Sequence, residues 1–115
     1  MKNKVVIITG GSSGIGEALA YKFSNENFNV VISGTNVKRL KTVQSNILSK
    51  DGNCEYICHD VSSKEDIKKM IDLTLDSYGR IDVLICNAGI SVRSLFEEVD
   101  LKIFEKLFNI NFFGS

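Results

Sequence analysis

An alternation of two periodicities narrows the folds open to this chain more than any other feature. Four short apolar runs rich in β-branched residues, Val5 to Thr9, Asn29 to Ser33, Glu55 to His59 and Ile81 to Cys86, are separated by longer stretches with helical spacing. In those stretches Ile15, Leu19 and Phe23 mark one helical face, Leu40, Val43 and Ile47 a second, and Ile67, Met70, Ile71 and Thr74 a third. Strand and helix in alternation are the signature of βαβ units around a parallel sheet, and near-continuous hydrophobicity suits strands covered on both faces. The expected fold is an α/β, doubly wound parallel sheet of the Rossmann-like kind: its N-terminal half, strand order 3-2-1-4, with the C-terminal strands absent. Ser62 or Ser63 is the expected N-cap of the third helix, with Glu65 and Asp66 at its positive end and Gly79 closing it.

Composition excludes several function classes. Fourteen basic residues balance fourteen acidic ones, so no long-range field draws in nucleic acid or an anionic membrane surface. The apolar run after Lys4 stops at Thr9 and Gly10, too short for an export signal, and no later run approaches a membrane span of roughly 20 residues. The expected location is the cytoplasm. Cys54, Cys58 and Cys86 form neither a CxxC pair nor an even set and sit in strand-like runs, which reads as buried thiols in a reducing compartment. His59, the only histidine, leaves no His-based metal cluster or catalytic triad available and reads as a structural residue at a strand end. With no proline, repeat or low-complexity tract, residues 1–115 are expected to form one domain.

The first strand runs directly into Thr9, Gly10, Gly11, Ser12, Ser13, Gly14, Ile15 and Gly16, and then into the first helix. A phosphate approaches a backbone only where side chains are missing, and a helix start presents unpaired N–H groups and the positive dipole end. Ser12 and Ser13 add hydroxyl donors. A mononucleotide P-loop is the nearest rival, since Gly11 and Gly16 match the start of GxxxxGK[ST]; Glu17 and Ala18 follow where lysine and a hydroxyl residue are required. The general GxGxxG pattern fails as well, because Gly10, Ser12 and Ile15 do not fill it.

The form that fits is TGxxxGxG, and here the chain resembles the short-chain dehydrogenase/reductase family. Asp60-Val61 after the third strand is similar to that family's adenine-contacting pair, Asn87-Ala88-Gly89 after the fourth to its NAG motif, and Asn111 to its active-site asparagine. Four ordered motifs from Thr9 to Gly114 cover nearly the whole chain. The resemblance implies an NAD(P)-dependent oxidoreductase moving hydride between nicotinamide and an alcohol or ketone. It implies that Gly10, Ser12, Ser13, Gly14, Ile15 and Gly16 cradle the pyrophosphate, that Asp60 and Val61 hold the adenine, and that Thr35, Asn36 and Arg39 meet the adenosine ribose. It further implies that Asn87 steadies the central strands and that Ala88 and Gly89 let the cofactor ribose lie close to the backbone.

The acid that receives free ribose hydroxyls normally follows the second strand, yet no Asp or Glu lies from Asn27 to Lys50, where Lys38, Arg39, Lys41 and Lys50 place four cations. NADP is therefore expected over NAD, although Ser13 and Thr35 stand where NADP-preferring relatives often carry a basic residue. The family's Tyr-x-x-x-Lys pair, in which the lysine lowers the phenol pKa, is absent: Asn25, Asp60 and Asp82 follow Tyr21, Tyr56 and Tyr78 at four places. The expectation is a truncated nucleotide-binding domain that is inactive in isolation, with a noncatalytic nucleotide-binding module as the alternative. From Leu101 to Phe113, eight of thirteen residues are apolar, which calls for cover from another subunit, as in a homo-oligomer, or from further chain. The fourth strand is expected to leave an open apolar edge.

Overall fold

The computed structural model describes residues 3–10, 14–59, 64–86 and, as backbone, 111–114. Eight elements follow in order: β1 (Val5–Thr9), α1 (Gly14–Asn25), β2 (Asn29–Gly34), α2 (Val37–Leu48), β3 (Asn53–Cys58), α3 (Lys64–Tyr78), β4 (Val83–Cys86) and β5 (Asn111–Gly114). The strands form one parallel sheet in the order β3-β2-β1-β4-β5.

Side chains alternate across a strand, and the register aligns the alternation between neighbours. Val6 and Ile8 of β1 stand beside Val30 and Ile32 of β2 on the face covered by α1 and α2, where Ala20, Leu40, Val43 and Ile47 close the core. Ile7, Val31 and Leu84 point to the other face, against Ile67, Met70 and Ile71 of α3. All five residues of β1 are buried, as the center of a two-faced sheet requires. The chain steps from β1 outward to β2 and β3, then returns across to β4 on the other side of β1. That reversal makes the gap between the C-terminal ends of β1 and β4 the switch point of the sheet.

Each described helix ends on a residue in the left-handed region. After α1, Asn27 takes φ 67°, its N–H bonds the Ser24 carbonyl at 2.9 Å, and the Phe28 N–H reaches the Phe23 carbonyl at 3.0 Å. The Phe23 and Phe28 rings meet edge to face at 4.9 Å, the apolar contact that accompanies such a double bond. After α2, Asp51 takes φ 63°, and Asp51 and Gly52 bond Leu48 and Ile47 in the same pattern. Gly79 (φ 74°) closes α3 through the Leu75 carbonyl, as its position predicts.

The predicted strand β1 is observed without change, whereas β4 begins two residues later than expected. The reason is Asp82: its carboxylate accepts the Val5 N–H at 2.8 Å and its own N–H bonds the Val5 carbonyl at 2.9 Å, so a side chain takes the place of a ladder rung. Arg80 grips the same carboxylate through Nε at 2.9 Å and Nη2 at 2.6 Å. β3 begins two residues earlier than expected, where Asn53 Nδ2 donates to Asn29 Oδ1 at 3.0 Å and prolongs the ladder.

Four other expectations are corrected. The outer edge of β4 is not open, because the backbone of β5 pairs along it from Val83 to Cys86; the expected order 3-2-1-4 is observed, with β5 added beside β4. Ile15 does not share the buried face of α1: it is 70% exposed, and Gly16 and Ala20 are the buried residues of that helix. Cys58 is exposed, unlike Cys54 and Cys86, because it ends the outermost strand. Lys50 lies beyond the far end of α2, some 18 Å of helix away from Asn36 at a rise of 1.5 Å per residue. The proposed N-caps Ser62 and Ser63, and the stretch 101–110, lie outside the described residues.

Candidate functional site

The switch point is built from the ends of β1 and β4. Thr9, the last residue of β1, is fully buried and pairs in register with Cys86; its Oγ1 lies 3.5 Å from the Ile85 carbonyl. Burial pushes the Cys86 thiol up to about 11, with a hydrogen bond from Thr9 pulling the other way, so this sulfur stays a neutral thiol at the floor of the crevice. Gly10 leaves the strand with φ 72°, a conformation that side chains disfavor.

α1 begins at Gly14. Among the described residues, and apart from its chain neighbors and the backbone of its own helix, a methyl group built on Gly14 would meet no atom within 4 Å. The described residues therefore give no steric reason for glycine here. Ile15, 70% exposed, stands next to this bare backbone, and Gly16 is buried behind it. A helix start over which no described side chain lies is a surface onto which a phosphate can settle. The residues present thus fit the group that the glycine pattern implies.

On the neighboring strand, β2 ends at Gly34, and exposed Thr35 and Asn36 lead into α2. Asn36 caps that helix, its Oδ1 accepting the Arg39 N–H at 3.2 Å, so its carbonyl oxygen is committed to the helix start. Arg39, half exposed, does not stand alone: its Nη2 lies 3.8 Å from Glu17 Oε2 on the first turn of α1. Glu17 also accepts from the Tyr21 hydroxyl at 3.2 Å, and Asn46 Nδ2 donates to that hydroxyl at 2.9 Å. Burial and the Glu17 carboxylate raise the Tyr21 hydroxyl above its ordinary range against the lowering pull of Asn46, which keeps it a donor. Glu17 escapes a sequence search for ribose-binding acids because that search runs from Asn27 onward. Its signal is the i, i+4 spacing to Tyr21.

At the outer end of the rim, Cys58 Sγ lies 3.7 Å from the Thr35 carbonyl, and His59 Nε2 lies 3.0 Å from Asp66 Oδ1. The structure thus gathers Gly10, Gly14, Ile15, Gly16, Thr35, Asn36 and Arg39 along the C-terminal edge of β1 and β2. Ser12, Ser13, Asp60, Val61, Asn87, Ala88 and Gly89 lie outside the described residues. The backbone of Asn111 starts β5, in register with Val83 at the beginning of β4, and so is not brought to this rim. Among the described residues no group of three His, Cys, Asp or Glu is placed to hold a metal ion. None of the described helices is long and apolar enough to cross a membrane. A cleft of about 280 Å³ lined by Tyr21, Asn46, Ile47 and Lys50 lies between the last turns of α1 and α2; it contains no residue of the glycine turn.

Comparison with known proteins adds independent findings. A family profile described as short chain dehydrogenase matches residues 4–115. An 11-beta-hydroxysteroid dehydrogenase of Pinus massoniana is 41% identical over 117 residues, covering 100% of this chain and 33% of that protein. A short chain dehydrogenase/reductase from Burkholderia phymatum, solved in complex with NAD, superposes with TM-score 0.71 at 26% identity over 77% of this chain and 32% of its own. A metagenomic short-chain oxidoreductase in complex with NADP gives TM-score 0.70 at 33% identity, covering 78% and 41%. The chain spans between 33% and 50% of the length of the first curated relatives it matches.

Proposed function

The chain belongs to the short-chain dehydrogenase family, and from that premise we propose that residues 1–115 form the nucleotide-binding domain of an NAD(P)-dependent oxidoreductase acting on an alcohol or ketone. The observation that carries this reading is Gly14, a helix-starting glycine at the rim of the sheet's switch point over which no described side chain lies. Gly10, Ser12, Ser13, Gly14, Ile15 and Gly16 hold the pyrophosphate against the start of α1; Thr35, Asn36 and Arg39 meet the adenosine ribose. Asp60 and Val61 take the adenine, and Asn87, Ala88 and Gly89 line the path of the second ribose. When bound, the nicotinamide supplies or accepts hydride.

NADP is the proposed preference. Its support is the pair of exposed cations Lys38 and Arg39 on the first turn of α2, with no acid in that turn; Lys50 contributes nothing, because it sits at the opposite rim. Among relatives, both NAD and NADP complexes are known, so NAD is the alternative. The three free thiols suit a cytoplasmic location, and the apolar composition of residues 101–113 suits association with a second copy.

These 115 residues contain no Tyr-x-x-x-Lys pair, and Asn111, the family's active-site asparagine by resemblance, lies level with Val83. No proton-transfer step is therefore assigned within this chain, which is proposed to bind nucleotide without turning over ketones. Calorimetric titration with NADPH and NADH tests the central claim. Saturable binding supports it, and a folded chain that binds neither nucleotide refutes it. NADPH oxidation with a ketone panel separates the two readings: turnover by this chain would overturn the noncatalytic one.

A further inference from the structure

Resting on the nucleotide-binding reading, we propose that Glu17 is a specificity-determining residue: it competes with the ribose 2′-phosphate of NADP for Arg39 and so moderates the preference for NADP over NAD. The geometry begins with two helices rising from one rim. Glu17 lies on the first turn of α1, three residues past Gly14, and Arg39 on the first turn of α2, three past Asn36. Their charged ends are 3.8 Å apart.

The two partners are not equally free. Glu17 is the anchored one, less exposed than Arg39 and fixed through Oε1 by the Tyr21 hydroxyl, which Asn46 of α2 holds in turn. Arg39 has the longer reach and the greater exposure, so the guanidinium is the group that swings. A nucleotide laid across the starts of α1 and α2 brings a 2′-phosphate to a cation that an acid already holds. Two anions then contest one guanidinium, and their mutual repulsion weakens the phosphate's hold. The free ribose hydroxyls of NAD carry no charge and enter no such contest.

Removing the acid should therefore favor the phosphorylated nucleotide selectively. The test measures affinities for NADPH and NADH by calorimetry at one fixed ionic strength in the chain, Glu17→Gln, Arg39→Met and the double variant. Glu17→Gln keeps the shape and an acceptor for Tyr21, and should raise the NADPH-to-NADH affinity ratio about two- to five-fold, the size expected of an exposed ion pair. Glu17→Ala, which removes the carboxylate and its reach, should shift the ratio in the same direction. Arg39→Met should lower the ratio and abolish the effect of Glu17→Gln in the double variant. If both nucleotides bind but Glu17→Gln leaves the ratio unchanged or lowers it, or if the effect persists without Arg39, the competition is overturned while the nucleotide site stands. If the folded chain binds neither nucleotide, the underlying reading fails first.

Discussion

Alanine at Gly14 and alanine at Gly52 should act in opposite ways, and the contrast isolates what the bare helix start is for. At Gly52 the new methyl would lie 2.5 Å from Ser24 Oγ, 2.7 Å from Ile47 Cγ2 and 3.1 Å from the Ile47 carbonyl. The serine hydroxyl can rotate away. Ile47 cannot, because it is 2% exposed in the core under α2 and its carbonyl is held by the Gly52 N–H at 3.0 Å. Overpacking of this kind costs about 1–3 kcal/mol, offset by about 0.4–1 kcal/mol from the stiffer unfolded chain. A net loss of about 1–2 kcal/mol and a fall in Tm of roughly 4–8 °C follow. At Gly14 the methyl meets no described atom within 4 Å beyond its own helix and chain neighbors, so stability should hold or rise by about 0.4–1 kcal/mol through the stiffer unfolded chain. The same methyl occupies the space assigned to the pyrophosphate, and NADPH affinity should fall at least about ten-fold, or 1.4 kcal/mol. Urea unfolding followed by tyrosine fluorescence and calorimetric titration read the two effects separately. If Gly14→Ala destabilizes as much as Gly52→Ala, or binds NADPH as tightly as the parent chain, the open backbone does not serve a ligand and the argument from it is refuted.

Three further outcomes are expected. Asp82→Ala should cost about 2–3 kcal/mol, because it strands the Val5 N–H and releases Arg80. Burial raises the Asp82 carboxyl, but the Arg80 and Val5 bonds outweigh it and hold the group below the usual carboxylate range. Its contribution is then fully present above the unfolded value of about 3.9 and is lost as pH falls through the folded value. Acid unfolding curves of parent and variant should converge at low pH; a constant gap down to pH 2 speaks against an ionic clamp. Lys50→Gln should leave NADPH affinity within error, since Lys50 follows the far end of α2; a loss there would restore the four-cation reading. A thiol reagent at pH 8 should label exposed Cys58 and spare Cys86, pushed up to about 11 by burial, and Cys54, pushed up to about 12; mass spectrometry of the folded chain decides.

Much of the fold was legible because burial on both faces leaves a strong mark. Leu40, Val43 and Ile47 of α2, and Ile67, Met70, Ile71 and Thr74 of α3, are all buried as their spacing predicts. Periodicity failed at Ile15, which is in phase with half-buried Leu19 and Phe23 yet 70% exposed, because the first turn of α1 buries Gly16 instead. It failed at Cys58 because an apolar run does not say where an edge strand leaves its cover: Cys54 on the same strand is buried, and Cys58 at its end is exposed. Lys50 misled because nearness in sequence is not nearness in space across a helix of 12 residues. The strand-to-helix junction between Thr9 and Gly14 was legible from the periodicities on either side of it. Glu17 and Asp82 were not, since each acts on a partner that only the tertiary arrangement supplies: Arg39 from α2 and Val5 from β1.

The clamp between Asp82 and Val5 joins residues 77 apart in the chain, whereas β1 meets β2 across a far shorter span. Pairings of such long sequence separation form slowly, because a large loop must close before any contact rewards it. The crevice between β1 and β4 is therefore expected to close after β1 and β2 have paired. A nucleotide present during refolding finds its seat only after that closure, so it should slow unfolding and leave the folding rate untouched.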